Sequence, residues 1–217
     1  MALQCAVYRN ALLLCRITRA SLQAGAPVPR LAKPAGRGCS HFVLPQRQMS
    51  RLASPAYLSP AATMPKQAYD YFLVLDFEAT CSAEKGVPTP QLTGIVQDMV
   101  DDQPHLHQVL SRFDDWMREQ GLLQARTVFV TFGDWDLQKM LPSQCAYLGI
   151  PVPPYMTRWI NLKKAFAECT GHWPKTLLDA LRFCRLPHLG RHHSGIDDCR
   201  NLAQLVAWLA SRGYQFA

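Results

Sequence analysis

Hydrophobic and polar positions change their period several times along the chain, and each change predicts an element. Tyr71-Phe72-Leu73-Val74-Leu75 is a short continuous apolar run, the pattern of a strand buried on both faces. From His105 to Gly121 the apolar positions fall at 106, 109, 110, 113, 116 and 117. That is helix spacing, and Gly121 supplies the stop. Thr127-Val128-Phe129-Val130-Thr131 predicts a second strand, leading through Gly133 into a helix over 134–148. Further helices are predicted over 162–169, over 176–184 and from 195 to about 211, the last with Leu202, Val206 and Leu209 on its inner face. Strands alternating with helices define an α/β layered domain, here residues 69–217.

Residues 1–68 read differently. Met1 to about Leu22 is apolar with Arg9, Arg16 and Arg19 interleaved, and 23–69 carry seven prolines among Ala, Gly and Ser. Such a composition predicts a disordered basic leader. An acid-free start bearing arginines is similar to a mitochondrial transit peptide, with a basic tail that aids RNA contact as the alternative. The arginines argue against a secretory signal. Charge sharpens the division: residues 1–69 hold nine Lys/Arg and no acid, while 70–217 hold fourteen Lys/Arg and sixteen Asp/Glu, 14 − 16 = −2. The basic excess of the whole chain, +7, therefore belongs to the leader. A phosphate-handling site in the domain has to overcome local acidity, and bound divalent cations do so.

No apolar run approaches the roughly 20 residues of a membrane span, so no membrane partner is expected. The eight cysteines are scattered, without a CxxC pair, which argues against a zinc module or disulfide framework and suits an intracellular setting. Mitochondria are one compartment consistent with this; cytoplasm or nucleus are the others.

The candidate chemistry lies in three segments. Asp76-Phe77-Glu78 closes the first strand, and residues two apart on a strand project from one face. Two carboxylates held together repel unless a divalent cation sits between them; a strand end capped by water is the plain alternative. Gly133-Asp134-Trp135-Asp136 follows the second strand, and in a parallel sheet that places an acid beside Asp76 and Glu78. Asp134 is read as a helix cap, Asp136 as the candidate ligand and Trp135 as core. His192-His193-Ser194-Gly195-Ile196-Asp197-Asp198 opens the last helix, with His193 five residues before Asp198. A neutral imidazole there is a candidate general base. Four carboxylates and one histidine in this order suit two Mg²⁺ or Mn²⁺ ions, because the ligands are hard oxygens.

These segments, together with QLTGIVQDMV, WINLKKAF and GRHHSGIDDCRN, resemble the DEDDh exonucleases of the ribonuclease H-like fold, and among them the Eri family of 3′–5′ exoribonucleases. The resemblance spans about residues 69–215. It implies metal binding by Asp76, Glu78, Asp136 and Asp198, and His193 as general base with Glu78 at the reacting end. It also implies contact with the terminal nucleotide by Glu78, Ala79, Leu92, Thr93 and His193. The implied substrate is the 3′ end of single-stranded RNA, hydrolysed to 5′-mononucleotides; a protein partner is a further expectation.

One departure is plain. Where the relatives carry roughly fifty residues and two antiparallel strands beside the first, this chain has only Ser82 to Gln91. Ten residues extend at most about 33–36 Å, too short for a hairpin of ordinary strands. The first strand is therefore expected to lie at the sheet edge, an aggregation hazard. Two alternatives follow: a catalytically impaired isoform that binds RNA or protein, or an exonuclease acting on DNA.

Overall fold

The computed structural model describes residues 8–15, 65–78 and 93–217. Among these, four strands form one sheet in the order β1-β2-β3-β4: β1 (Tyr8–Cys15), β2 (Tyr71–Glu78), β3 (Thr127–Thr131) and β4 (Trp159–Asn161). β2, β3 and β4 run parallel, with Val74 opposite Val130 and Val130 opposite Ile160. The connections are helical: α1 (Leu106–Glu119) joins β2 to β3, and a π-helical turn (Asp136–Met140) continuing into α2 (Leu141–Leu148) joins β3 to β4. Then come α3 (Leu162–Thr170), α4 (Leu177–Cys184) and α5 (Gly195–Ser211).

The predicted α/β layering is what the structure contains, and both sheet faces are covered. On one face Phe72 and Val74 of β2 pack with Val128 and Val130 against Ala165 and Phe166 of α3, Leu181 of α4, and Leu202, Val206 and Leu209 of α5. On the other, Leu73, Leu75 and Phe77 meet Leu110 and Met117 of α1, Leu137 of the π-turn and Leu141 of α2. The continuous apolar run of β2 is thus split by strand parity into two cores. Phe72 and Phe216 stack edge to face at 5.2 Å, which draws the chain terminus into the first core. Gln67 clamps that terminus, accepting from the Phe216 N–H at 3.0 Å and donating to the Tyr214 carbonyl at 3.0 Å.

Three expectations change. The helix predicted over 134–148 is present but opens as a π-turn before it continues as α2. Pro142 has no N–H to give the Gln138 carbonyl, so an uninterrupted α-helical ladder cannot pass it, and Leu141 N–H instead reaches back to the Asp136 carbonyl. The leader predicted over 1–68 is not wholly outside the domain, because Tyr8–Cys15 pairs antiparallel with β2, Leu13 opposite Val74 and Cys15 opposite Phe72. Consequently β2 is not a sheet edge. Its backbone groups on that side require partners, and Ala11-Leu12-Leu13-Leu14-Cys15 supplies them. Residues 1–7, 16–64 and 79–92, including the shortened Ser82–Gln91 connection, lie outside the described residues.

Candidate active site

Strand parity builds the first half of the site. Asp76 and Glu78 continue the side of β2 that carries Phe72 and Val74, so both carboxylates face α5. α5 then supplies the second half. Asp198 stands in its first turn and is buried at 5% exposure, where the helix dipole favours an anion. One carboxylate oxygen from each of Asp76, Glu78 and Asp198 lies within 4.8 Å of the others. Asp136 arrives from the carboxyl end of β3 through the π-turn and is also buried. Its Oδ1 accepts the Phe77 N–H at 3.0 Å, which fixes it beside the backbone between the other two acids of β2. Such π-turns concentrate at functional sites.

The electrostatics are those of crowded acids. Burial, followed by the charges of Asp136, Glu78 and Asp198, holds the Asp76 carboxyl well above the ordinary range. Glu78 is pushed up to about 7 by burial and the charge of Asp198, against a lowering pull from Arg191. Burial also raises Asp136, against the hydrogen bond from Phe77. Three carboxylates that resist ionising, crowded beside Asp198, suit a divalent cation. The nearby thiol is not a competing ligand: Cys199 is fully buried, donates to the Val74 carbonyl at 3.6 Å and is pushed up by burial.

The loop before α5 carries the histidine. His193 adopts the left-handed conformation, φ 60°, and its N–H donates to Asp198 Oδ2 at 2.9 Å. Burial and the neighbouring His192 lower its imidazole pKa, against the raising charge of Asp198, so the ring is neutral near neutral pH. Arg191 spans from this loop to the segment after the connection, donating through Nη2 to the carbonyls of Thr93 and, at 3.3 Å, His193. Gly94 makes room: a Cβ there would stand 2.9 Å from Arg191 Nη2. Thr93 is buried and is thereby drawn to the histidine loop. Ala79 and Leu92, the other two residues expected at the nucleotide, lie outside the described residues.

Asp134 and Trp135 depart from their expected roles. Asp134 does not cap a helix; it accepts from Trp159 Nε1 at 3.0 Å and pairs with Lys164 at 2.9 Å, tying β3 to β4 and α3. Trp135 is 47% exposed rather than core, because the π-turn aims Asp136 and Leu137 inward and leaves its predecessor outside.

Two residues that hold the site lie in the GRHHSGIDDCRN stretch, but the sequence assigns them no role. Asn201 is fully buried; it accepts from Leu189 N–H and donates to the Leu189 and Asp197 carbonyls, at 2.8–2.9 Å. Asp197 receives Arg191 N–H at 3.1 Å and Arg200 at 2.7 Å. These contacts hold it below the ordinary carboxylate range despite burial. Its neighbour in sequence, not Asp197 itself, faces the acid cluster.

Comparison with known proteins agrees with this arrangement. The RNase T exonuclease family model matches residues 89–206, more than half of the chain, and the chain belongs to that family. The fold is that of the DEDDh exonucleases, ribonuclease H-like, a class that implies divalent-metal dependence. A nuclease-domain structure described as 3′hExo, a DEDDh family member, bound to rAMP, superposes with TM-score 0.58 at 27% identity, over 68% of this chain and 75% of that one. A 3′-exonuclease structure described by its recognition of a histone mRNA stem-loop superposes with TM-score 0.66 at 24% identity, over 79% and 71%. Among sequence relatives, human ERI1 exoribonuclease 3, the third member of the Eri family, is 43% identical over 210 residues, covering 78% of this chain and 62% of the relative. The chain thus spans about three-fifths of that relative's length. Of the 210 residues matched, 78% of this chain's 217 supplies about 169, in keeping with an internally shortened domain.

Proposed function

We propose that the chain is a 3′–5′ exoribonuclease that removes 5′-mononucleotides from single-stranded RNA ends with two Mg²⁺ or Mn²⁺ ions. The carrying observation is the convergence of Asp76, Glu78 and Asp198 within 4.8 Å, with Asp136 fixed beside them and the carboxyls of Asp76 and Glu78 pushed upward. Isolated acids in water gain nothing from such crowding.

In this reading Asp76, Glu78, Asp136 and Asp198 hold the ions. The ions, when bound, neutralise charge developing on the phosphoryl oxygens and make water a competent nucleophile at neutral pH. His193 is the general base: its neutral ring accepts a proton from the attacking water, and its position follows from the backbone bond to Asp198. Glu78, Ala79, Leu92, Thr93 and His193 contact the terminal nucleotide, and Arg191 ties the Thr93 segment to the His193 loop around it. RNA as substrate is supported by the relative named an exoribonuclease and by the neighbour bound to rAMP. Single-stranded ends suit a small site, since a terminal base must leave its stack to enter.

The test is degradation of a 3′-labelled single-stranded RNA by the full chain, with Mg²⁺ or Mn²⁺, beside an Asp76→Asn variant, an EDTA control and a DNA oligonucleotide of the same sequence. Mononucleotide release that needs metal and Asp76 supports the reading. A folded but inert chain would replace it with a non-catalytic binding role, and faster loss of the DNA would change the substrate.

A further inference from the structure

Beside the acid cluster stands a second group of candidate ligands, two of which, His188 and His192, the exonuclease reading leaves unused. His188 and His192 meet edge to face, centroids 6.0 Å apart at 88°. His192 Nδ1 lies 3.4 Å from Asp198 Oδ1. One ring nitrogen from each histidine and one oxygen of Asp198 all fall within 4.8 Å of one another. His188 Nε2 is shut off from solvent and has no hydrogen-bond partner among the described residues. A buried polar atom left unpaired costs about 1–3 kcal/mol, so its retention here asks for a partner.

The backbone that presents these groups is already ordered. Asn201 grips both polar groups of Leu189, one residue after His188. Asp197 holds the Arg191 N–H, one residue before His192. Gln204 donates to the Pro187 carbonyl at 3.2 Å. All three clamps are side chains of α5, the helix that also carries Asp198. Both imidazoles and the carboxylate are therefore positioned from one rigid element, as a preorganised cation site requires.

We propose that His188, His192 and Asp198 form a transition-metal site that takes Zn²⁺ and opposes catalysis. Two imidazoles and one carboxylate with an open fourth position make a donor set that Zn²⁺ accepts, at about 2.0–2.2 Å. Mg²⁺ prefers oxygen and does not compete well for nitrogen. Asp198 belongs to both groups. A Zn²⁺ ion drawing on Asp198 removes a carboxylate from the Asp76–Glu78 cluster and sets a cation beside His193, whose ring centroid is 3.9 Å from that of His192. The opposing effect rests on the exonuclease reading above; Zn²⁺ binding does not.

The test titrates ZnCl₂ into the full chain by calorimetry in a large excess of Mg²⁺, with His188→Ala, His188→Gln and Asp76→Asn as variants, each checked for folding by circular dichroism. One equivalent of Zn²⁺ is expected to bind the wild type and Asp76→Asn alike, and at least about tenfold more weakly to both His188 variants. Where RNA turnover is measurable, His188→Gln keeps the Mg²⁺-supported rate and needs at least about tenfold more Zn²⁺ for half-inhibition. Two results overturn the proposal: no Zn²⁺ uptake by the wild type, or uptake that is lost in Asp76→Asn and unchanged in the His188 variants, which places the ion among the carboxylates. An RNA assay showing no turnover at all overturns the exonuclease reading and leaves the calorimetric result to stand.

Discussion

Asp198 holds His193 by its backbone: Oδ2 accepts the His193 N–H at 2.9 Å, while the carboxylate also joins Asp76 and Glu78. A left-handed residue, φ 60°, is thus fastened to the acid cluster, so the proposed general base and the proposed metal-binding acids are set by one side chain. Asn tolerates this backbone region better than most residues. His193→Asn is therefore expected to keep the loop and the fold, to lower kcat by about 10²–10⁴-fold, and to retain divalent-metal binding. In the wild type, the acid limb of the kcat/KM profile assigned to the free imidazole should have its midpoint below His193's ordinary 6.5, and His193→Asn should abolish it. A parallel loss of metal binding would mean that the loop, and not the base, was removed.

Stability without metal should fall as pH rises. Asp76 and Glu78 have folded pKa values above their unfolded ones, Glu78 at about 7 against 4.5. Between those values these two groups bind more protons in the folded chain than in the unfolded one, so their contribution to stability is greatest below about 4.5 and declines as pH climbs through about 7. His193, lowered below 6.5, works in the opposite sense over part of that window, so Glu78→Gln is the proper comparison. The expected result is a smaller decline of Tm between about pH 5 and pH 8 in Glu78→Gln than in wild type. Divalent cation should raise the wild-type Tm more at the higher pH. Equal pH slopes in the two proteins would contradict the crowding of the acids.

Gly190 cannot carry a side chain. Its φ is +69°, and a Cβ would stand 2.2 Å from Asp197 Cγ. Gly190→Ala should displace Asp197 from the Arg191 N–H, destabilise the protein by about 1–3 kcal/mol and loosen the histidine loop. Urea unfolding and amide exchange at Arg191 are the measurements.

Asn201 should matter to stability as much as to the placement of the histidine loop. Asn201→Leu leaves the Leu189 N–H and carbonyl without partners at a buried position, an expected loss of about 2–4 kcal/mol. Chemical denaturation reads it directly, and a change under about 0.5 kcal/mol would be no more than a typical surface substitution gives.

The pairing of β1 with β2 is testable from the backbone alone. Leu12→Pro and Leu13→Pro, opposite Leu75 and Val74, are the variants. Alternate N–H groups face the partner strand, so one of the two removes a ladder donor and should lower Tm and raise light scattering on heating, since a bared β2 edge invites association. Unchanged melting and scattering in both would place β1 outside the cooperative fold.

Much of this was legible because the strongest signals are local. The apolar run of β2, the two-residue spacing of Asp76 and Glu78, and the helical spacing of α1 need no knowledge of neighbours. β4 has three residues, too few for any period to register. β1 is a strand only by virtue of its partner, because apolar residues interleaved with arginine and no acid read equally as an amphipathic leader. Asp197 and Asn201 were opaque for another reason: their roles depend on a loop folding back over α5, a contact that spacing along the chain does not encode. The π-turn escaped because its pattern is helical and only Pro142 marks the break.

The parity of β2 also constrains insertions and deletions. One residue gained or lost between Phe72 and Asp76, with the pairing to β3 kept, would turn both carboxylates toward Leu110 and Leu141 and bring Leu75 or Phe77 to the mouth of the site. The strand therefore accepts substitutions singly but changes of length only in pairs, so its length is as much a part of the site as its two acids.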